Sequence, residues 1–471
     1  MDEQLPQHPT AGLSAVEGRA KELIEAHTAE LERDARLGFL KRYLEGDQDL
    51  PYCPRGARVE FKVIAEKSIT NWLPLISDTF SKGLWVDGYR PGKSVQNAPA
   101  WEFWQANGLD ARQTVAHRGA LEYGAAYTLV LPGRPTPLIK PISPLKTYVR
   151  FEDFDDEWPY DALIRKGVDR EGGRLFQLLE GDLIHDLRVP KDSDNPKLMG
   201  SMKHSLGVVP MVRFRERLDC EEARGIIRPL VNLQDRINEA VFNLLIALQY
   251  ASFRQRWATG LDIPRDPDTN EPVEPFESAV DRLWVSPSPE AKFGDFAQTE
   301  VHGHLRTYES AVKTLAAIAQ TPPQALMGDL VQLSAEALAA AESSTQRKTG
   351  EYETLFGESW EQAFRLASAS RGDRKGASDT SAQVRWRDTE ARSLAATVDA
   401  LGKMAQMLAV PVEALWERIP GVTDQDVKAW KELLKKADSM QTLAEALTAT
   451  AQVSGARQDF TDATPPPAEV S

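Results

Sequence analysis

Cysteine is nearly missing from this chain of 471 residues, which holds only Cys53 and Cys220. The two lie far apart and in no metal-ligand spacing. That excludes a disulfide framework and a cysteine-based zinc module, and it fits a reducing, cytosol-like compartment. A surplus of positive charge is missing too. Lys and Arg number 56 against 70 Asp and Glu, for a formal net charge of -14. A protein that grips nucleic acid through many phosphate contacts is normally basic, at least locally, so the chain as a whole is not a tight DNA binder. Long apolar runs are also absent. The most apolar stretch, 240–253, is broken by Asn243 and Gln249 and is too short to span a bilayer. The opening residues MDEQLPQHPT have neither a basic nor an apolar region, so no secretory signal is expected. The expectation is a soluble protein used inside a cell.

What is present is ordinary globular material. Hydrophobic residues make up 42%, with 30 Gly and 30 Pro, and the length suggests about three domains. Segment 15–44 reads as one helix, stopped by Gly46 and Pro51. Val59, Phe61 and Val63 alternate with polar residues, the period of a half-buried strand. Helical patches follow at 68–80 and 99–123. Strands are expected at 84–86, 126–131, 146–151, 161–166, 175–179, 183–189 and 208–214, punctuated by Pro, Gly and Asp as in an antiparallel meander.

Beyond Arg228 the chain turns helical. Pro229 suits a first helical turn. Leu230, Leu233, Ile237, Val241, Leu244 and Leu248 then form an amphipathic stripe. A Pro- and Asp-rich insertion, 261–289, carries an expected strand at 282–285. Leu305, Tyr308, Val312, Leu315 and Ala319 form a second stripe, terminated by Pro322 and Pro323. A run from Ser334 to about Ala369 would make a helix of about 50 Å, with a kink allowed at Gly350 or Gly357. After a linker at 372–381 comes a helical module, in which Thr423 and Asp426 read as a capping box. The Pro-rich end, 464–471, should be disordered.

Chemical motifs are scarce. Gly88-Tyr-Arg-Pro-Gly92-Lys93-Ser94 suggests a phosphate loop, but it has one residue too few between its glycines, and Pro91 has no N–H to offer. A surface turn is the better reading. His302 and His304 would diverge on a helix, and His117, His185 and His204 are scattered, so neither a metal site nor a catalytic triad can be argued. The acidic run Glu152-Asp-Phe-Asp-Asp-Glu157 reads as a solvated turn. No catalytic residue, cofactor site or metal site is expected, which favours a structural component over an enzyme.

The order of parts is two amphipathic helices around a Pro-rich insertion, a Pro-Pro stop, a loop, a very long helix and a helical end module. With it come Arg42-Tyr-Leu-Glu-Gly-Asp-Gln48, Asn71-Trp-Leu-Pro, Gly83-Leu-Trp-Val-Asp-Gly88, Leu121-Glu-Tyr-Gly-Ala-Ala-Tyr127 and Ile142-Ser-Pro144. Further on are Thr321-Pro-Pro-Gln-Ala-Leu-Met-Gly328, Arg385-Trp-Arg-Asp388 and Leu408-Ala-Val-Pro-Val-Glu413. This series resembles the portal proteins of tailed bacteriophages, specifically long-tailed phages that infect actinobacteria.

The resemblance implies an α+β, mainly helical portal fold. Its parts would be an α/β wing at 15–228, stem helices at 229–253 and 301–320, a clip at 254–300 and a tunnel loop at 321–333. A long wing helix at 334–372 and a helical crown at 373–440 would follow, with disordered tails at 1–14 and 441–471. The stem would pack through Leu233, Ile237, Val241, Leu244, Leu248, Leu305, Tyr308, Val312 and Leu315. Gly328, Asp329, Leu330, Val331, Gln332 and Leu333 would face DNA. It further implies a dodecameric ring at one capsid vertex, in the virion and, during assembly, in the host cytoplasm. Double-stranded DNA would pass through it non-specifically, with no membrane involved. Partners would be the terminase large subunit, the major capsid protein and scaffold, and head-tail adaptor proteins. The competing readings are an NTP-hydrolysing packaging component and a scaffold or adaptor without a channel.

Overall fold

A computed structural model describes residues 13–53, 59–91, 97–219, 223–252, 256–259, 290, 292–295, 301–327, 335–387, 394–419, 422 and 426–436. The chain divides into two compact units, Met1–Arg387 and Asp388–Ser471. The first begins with α1 (Leu13–Glu30), α2 (Arg36–Glu45), α3 (Val59–Lys67), α4 (Leu73–Gly83), β1 (Val86–Arg90), α5 (Trp101–Ala106) and α6 (Leu109–Tyr123). Strands follow: β2 (Ala125–Leu131), β3 (Leu138–Ile142), β4 (Thr147–Arg150), β5 (Asp161–Val168), β6 (Arg174–Glu180), β7 (Leu183–Val189), β8 (Lys197–Lys203) and β9 (Met211–Arg215). Next come α7 (Val231–Ser252), β10 (Arg256–Thr259), β11 (Lys292–Asp295), α8 (His302–Ala319), α9 (Pro323–Met327), α10 (Ala335–Ser370), α11 (Arg374–Ser378) and β12 (Gln383–Trp386). The second unit holds α12 (Leu394–Leu408), α13 (Val412–Leu415) and a helix over 426–436, with Trp416 and Trp430 meeting edge to face.

The main core is built around α10. This helix of 36 residues is about 54 Å long and runs without interruption through Gly350 and Gly357. Tyr352, Phe356, Trp360, Ala363, Phe364 and Ala367 recur every three or four residues and are all fully buried. Against this stripe lie Phe80 of α4, Trp104 of α5 and Phe214 of β9. His117 of α6 is enclosed there as well. Its Nε2 accepts from the Trp360 indole N–H at 2.8 Å, and its Nδ1 lies 3.2 Å from the Leu84 carbonyl oxygen. That pairing places the proton on Nδ1, and complete burial pushes the imidazole pKa down to about 3.

Two larger sheets also belong to this unit. One has the order β3-β2-β9, and the other is the meander β4-β5-β6-β7-β8. Alternation along the meander divides its side chains between two clusters. Leu163, Phe176, Leu178, Leu187 and Val189 pack under Val16, Ala20, Leu23 and Ile24 of α1. Ala162, Ile164, Leu179 and Ile184 pack with Leu129, Ile142 and Met211 of the three-stranded sheet.

Several sequence expectations are corrected. Segment 15–44 is two helices, because its apolar faces serve different cores: Leu23 joins the meander, while Leu37 and Leu40 enter the main core. Residues 59–67 are helical. Val59 is 73% exposed, no sheet neighbour exists for it among the described residues, and contact with α7 sets this segment instead. The expected strand at 84–86 is β1, displaced to Val86–Arg90 by its pairing with β12, so Gly88 lies in a strand and not in a turn. The linker at 372–381 contains α11, whose N-cap Asp373 accepts from the backbone N–H groups of Lys375 and Gly376. With β12 paired to β1, residues up to Arg387 belong to the first unit. β3 and β8 are additional strands. The strand expected at 282–285 and the capping box at Thr423 lie outside the described residues.

Candidate functional site

The paired helices α7 and α8 are joined through β10 and β11, which are antiparallel from Arg256↔Asp295 to Thr259↔Lys292. The helices therefore run in opposite directions. Val231, Leu233 and Ile237 at the start of α7 lie in the main core, with Ala311, Val312, Leu315 and Ala316 near the end of α8. Val241 and Tyr308 pack partly against that core. Toward the hairpin the cover runs out. Leu244 is half-buried, Leu248 is 42% exposed and Leu305 is 41% exposed. The apolar stripe of each helix is thus longer than the core that receives it.

A buried amide network roots α7. Gln234 and Asn238, one turn apart, are both fully buried. Asn238 Oδ1 accepts from the Thr70 backbone N–H at 3.0 Å and from Gln234 Nε2 at 2.9 Å. Its Nδ2 donates to Gln48 Oε1 at 2.7 Å. Gln234 donates to the Thr70 carbonyl at 2.6 Å and accepts from the Trp72 N–H at 3.0 Å. Gln48 in turn donates to Asn71 Oδ1 and to the Tyr43 carbonyl. The Tyr43 hydroxyl lies 3.0 Å from Asp235 and 3.1 Å from Asp49. Burial raises the Asp235 carboxyl above its ordinary range, whereas the hydrogen bond from Arg42 holds Asp49 below it. Sequence reasoning missed Gln234 and Asn238 as a site. The readable signal was a polar pair four residues apart, set among Leu233, Ile237 and Val241.

At its far end α8 closes on Gln320, which adopts a left-handed φ of 55° and donates its N–H to Ala316 and Ala317. Pro323 then opens the short helix α9, so residues 323–327 of the expected loop are helical. The Thr345 hydroxyl of α10 donates to the Gln320 carbonyl at 2.6 Å, tying the long helix to this end. Gly328, Asp329, Leu330, Val331, Gln332 and Leu333 lie outside the described residues.

The remaining motifs stay apart. Gly88, Tyr89 and Arg90 are in β1, while Gly92, Lys93 and Ser94 lie outside the described residues. His302 and His304 occupy the first turn of α8. Among the described residues no group of three His, Cys, Asp or Glu could hold a metal ion, and no helix is long and apolar enough to cross a membrane. The acidic run at 152–157 forms bends and turns whose carbonyls receive Arg213 and Arg215.

The phage portal protein family described as SPP1 Gp6-like matches residues 21–440. A portal protein of Mycobacterium phage D29 is 25% identical over 361 residues, covering 70% of this chain and 71% of that protein. One from Mycobacterium phage L5 is 23% identical over 348 residues, with the same coverage. Among solved structures, a chain from the virion of a native gene transfer agent particle is 12% identical at a TM-score of 0.44, covering 79% of this chain and 99% of that one. A chain from the neck of an empty gene transfer agent particle, computed with C6 symmetry, is 12% identical at 0.42, covering 77% and 96%. The family match takes in α7, α8, α10 and nearly all the described residues, and the chain therefore belongs to the SPP1 Gp6-like phage portal protein family.

Proposed function

We propose that the chain is one subunit of a ring, dodecameric in the assembled shell, at a single capsid vertex. Double-stranded DNA is packaged through this ring by a terminase motor and later leaves through it. The protein is a structural conduit and not an enzyme. The observation that carries this reading is the family match across residues 21–440. In this reading α7 and α8 are the stem, residues 254–300 the clip, and α1–β9 with α10 the wing. Residues 321–333 form the tunnel loop, with α9 inside it, and the unit from Asp388 is the crown. The clip would meet the terminase large subunit first and the head-tail adaptor proteins afterwards. The major capsid protein and scaffold would surround the ring, which assembles in the host cytoplasm.

The helix pair supports the reading physically. Among the described residues Leu248 and Leu305 stay about two-fifths exposed, and a ring would provide a neighbour on either side to cover them further. The acidic chain also suits passage, since a net charge of -14 disfavours salt-dependent retention of phosphates. Negative-stain imaging of the assembled protein should give rings with a central opening. Compact particles without a hole, at concentrations where the protein is oligomeric, would rule the conduit out.

A further inference from the structure

A cavity of about 520 Å³ opens between β9, the turn at 152–157, the end of α8 and the middle of α10. Six cationic side chains line it: Arg36, Arg213, Arg215, Arg217, Arg224 and Lys348. Glu216 is the one carboxylate among the described lining residues. In a chain with so large an acidic surplus, this local reversal of sign calls for a physical account. Arg36 pairs with Glu30 at 2.8 Å, Arg217 with Asp219 at 2.7 Å and Lys348 with Glu351 at 3.1 Å.

Arg213 and Arg215 differ. They are two residues apart on β9, so they leave the same face of the strand, while Val212 and Phe214 are fully buried on the other. Their guanidinium groups are positioned without being neutralised. Arg213 donates from Nη2 to the carbonyls of Phe154 at 2.9 Å and Asp156 at 3.1 Å. Arg215 donates from Nη1 to the Phe154 carbonyl at 3.3 Å. The Phe151 ring lies 3.8 Å from the Arg213 guanidinium carbon, and the Phe154 ring 4.5 Å from that of Arg215. Carbonyls and ring faces orient a guanidinium, yet they carry no full negative charge. Asp155 and Asp156 act on the pair only through space, and among the described residues neither guanidinium forms an ion pair. Burial first, and the neighbouring Arg215 second, push Arg213 down to about 10. Burial likewise lowers Arg215.

We propose that this cavity is a binding site for one compact oxyanion, held between the free N–H edges of Arg213 and Arg215. Phosphate and carboxylate present the paired oxygens that a guanidinium edge matches, and a desolvated arginine pair gains most from such a partner. Arg36 and Lys348 also line the cavity, each beside its own carboxylate, and the Tyr352 hydroxyl occupies Glu216 by donating to it at 3.2 Å. The site takes a small ion or a single side chain and not a duplex, because a DNA backbone is convex and cannot follow half-buried guanidiniums into a pocket of this size. The oxyanion has two possible sources, free phosphate or a carboxylate from a second copy of this chain.

Isothermal titration of inorganic phosphate into the dispersed full-length protein, at fixed ionic strength in chloride, tests the site whether or not rings form. Saturable binding is expected, weakened about tenfold or more in Arg215→Gln by the loss of a charge-assisted hydrogen bond. Arg213→Gln serves as the second variant should the first fold poorly. No saturable binding to the wild-type chain overturns the proposal, as does an unchanged affinity in both variants. Duplex DNA that displaces phosphate with the same Arg215 dependence also overturns it. Repeating the titration on assembled rings identifies the source. Equal affinity in rings points to the free anion. Loss of phosphate binding on assembly, with rings dispersing in excess phosphate, points to the carboxylate of a neighbouring copy.

Discussion

Replacing Asn238 with Leu should release the root of α7 while keeping the heavy-atom count and the branch at Cγ of the side chain. The substitution removes the acceptor for the Thr70 N–H and the donor to Gln48 Oε1, at positions where Asn238 itself is fully buried and Gln48 is buried. Gln234 keeps its bond to the Thr70 carbonyl but loses the acceptor for its second amide hydrogen, so three positions lose a partner, of which Thr70 is only half-buried. An unsatisfied buried polar group costs about 1–3 kcal/mol, which gives about 2–6 kcal/mol for the buried pair Gln48 and Gln234. A chain of this length need not unfold in one step, so the informative assay is native-state hydrogen exchange of the α7 amides in the dispersed protein. A loss of about 3 kcal/mol corresponds to roughly a hundredfold faster exchange there. Asn243→Leu, at an exposed position on the same helix, is the control and should change little. Protection of α7 in Asn238→Leu that matched the control would refute the argument, because the network would then contribute nothing to holding the helix.

His117 makes stability sensitive to acid. Its pKa is depressed to about 3 in the folded state against about 6.5 in the unfolded chain. The unfolded chain therefore takes up the proton first as pH falls below about 6.5, and stability drops by up to about 1.4 kcal/mol per pH unit down to about 3. Urea midpoints measured from pH 7 to 4 should fall less steeply in His117→Phe, and parallel profiles would contradict the assignment. Leu248→Asp and Leu305→Asp should leave the dispersed chain within about 0.5 kcal/mol of wild type, since both positions are exposed there, but should weaken ring assembly seen by light scattering. Equal destabilisation of the dispersed chain would mean that these side chains are already buried within one subunit. Exchanging Leu330 and Val331 for Lys should allow normal rings and normal empty shells, with slowed DNA packaging that recovers as salt rises. Wild-type packaging at low salt would place these residues away from DNA.

What could be read from the sequence follows from how burial leaves its mark on the chain. α7 and α8 carry apolar residues at a spacing of three and four over several turns, long enough to be recognised although only part of each stripe is buried. The meander is similarly legible, because alternate residues of β5, β6 and β7 enter two different clusters. Three alternating residues at 59–63 are too few, and contact with α7 prevails over that local pattern. β8 is exposed along almost its whole length and so has no apolar period. β3 carries Pro141, which reads as a strand breaker but is tolerated at the edge of the order β3-β2-β9. The pairing of β1 with β12 joins segments far apart in the chain, Val86 to Trp386, and no local pattern could announce it.

The same distinction separates the two ends of the helix pair. Arg42, Tyr43, Gln48 and Asn71 read as fragments of two unrelated segments, yet the fold brings them together around Gln234, Asp235 and Asn238 at the base of α7. An amide network tolerates little substitution, because each donor and acceptor answers to another at a fixed distance. An apolar flank such as Leu248 or Leu305 needs only size and hydrophobicity, which many residues satisfy. In the proposed ring each subunit would hold its helix pair at one angle, so that every copy presented the same flank to the next, and the buried root with its fixed donors and acceptors is suited to set that angle. A flank that met a neighbouring copy would be marked in the sequence only by its period.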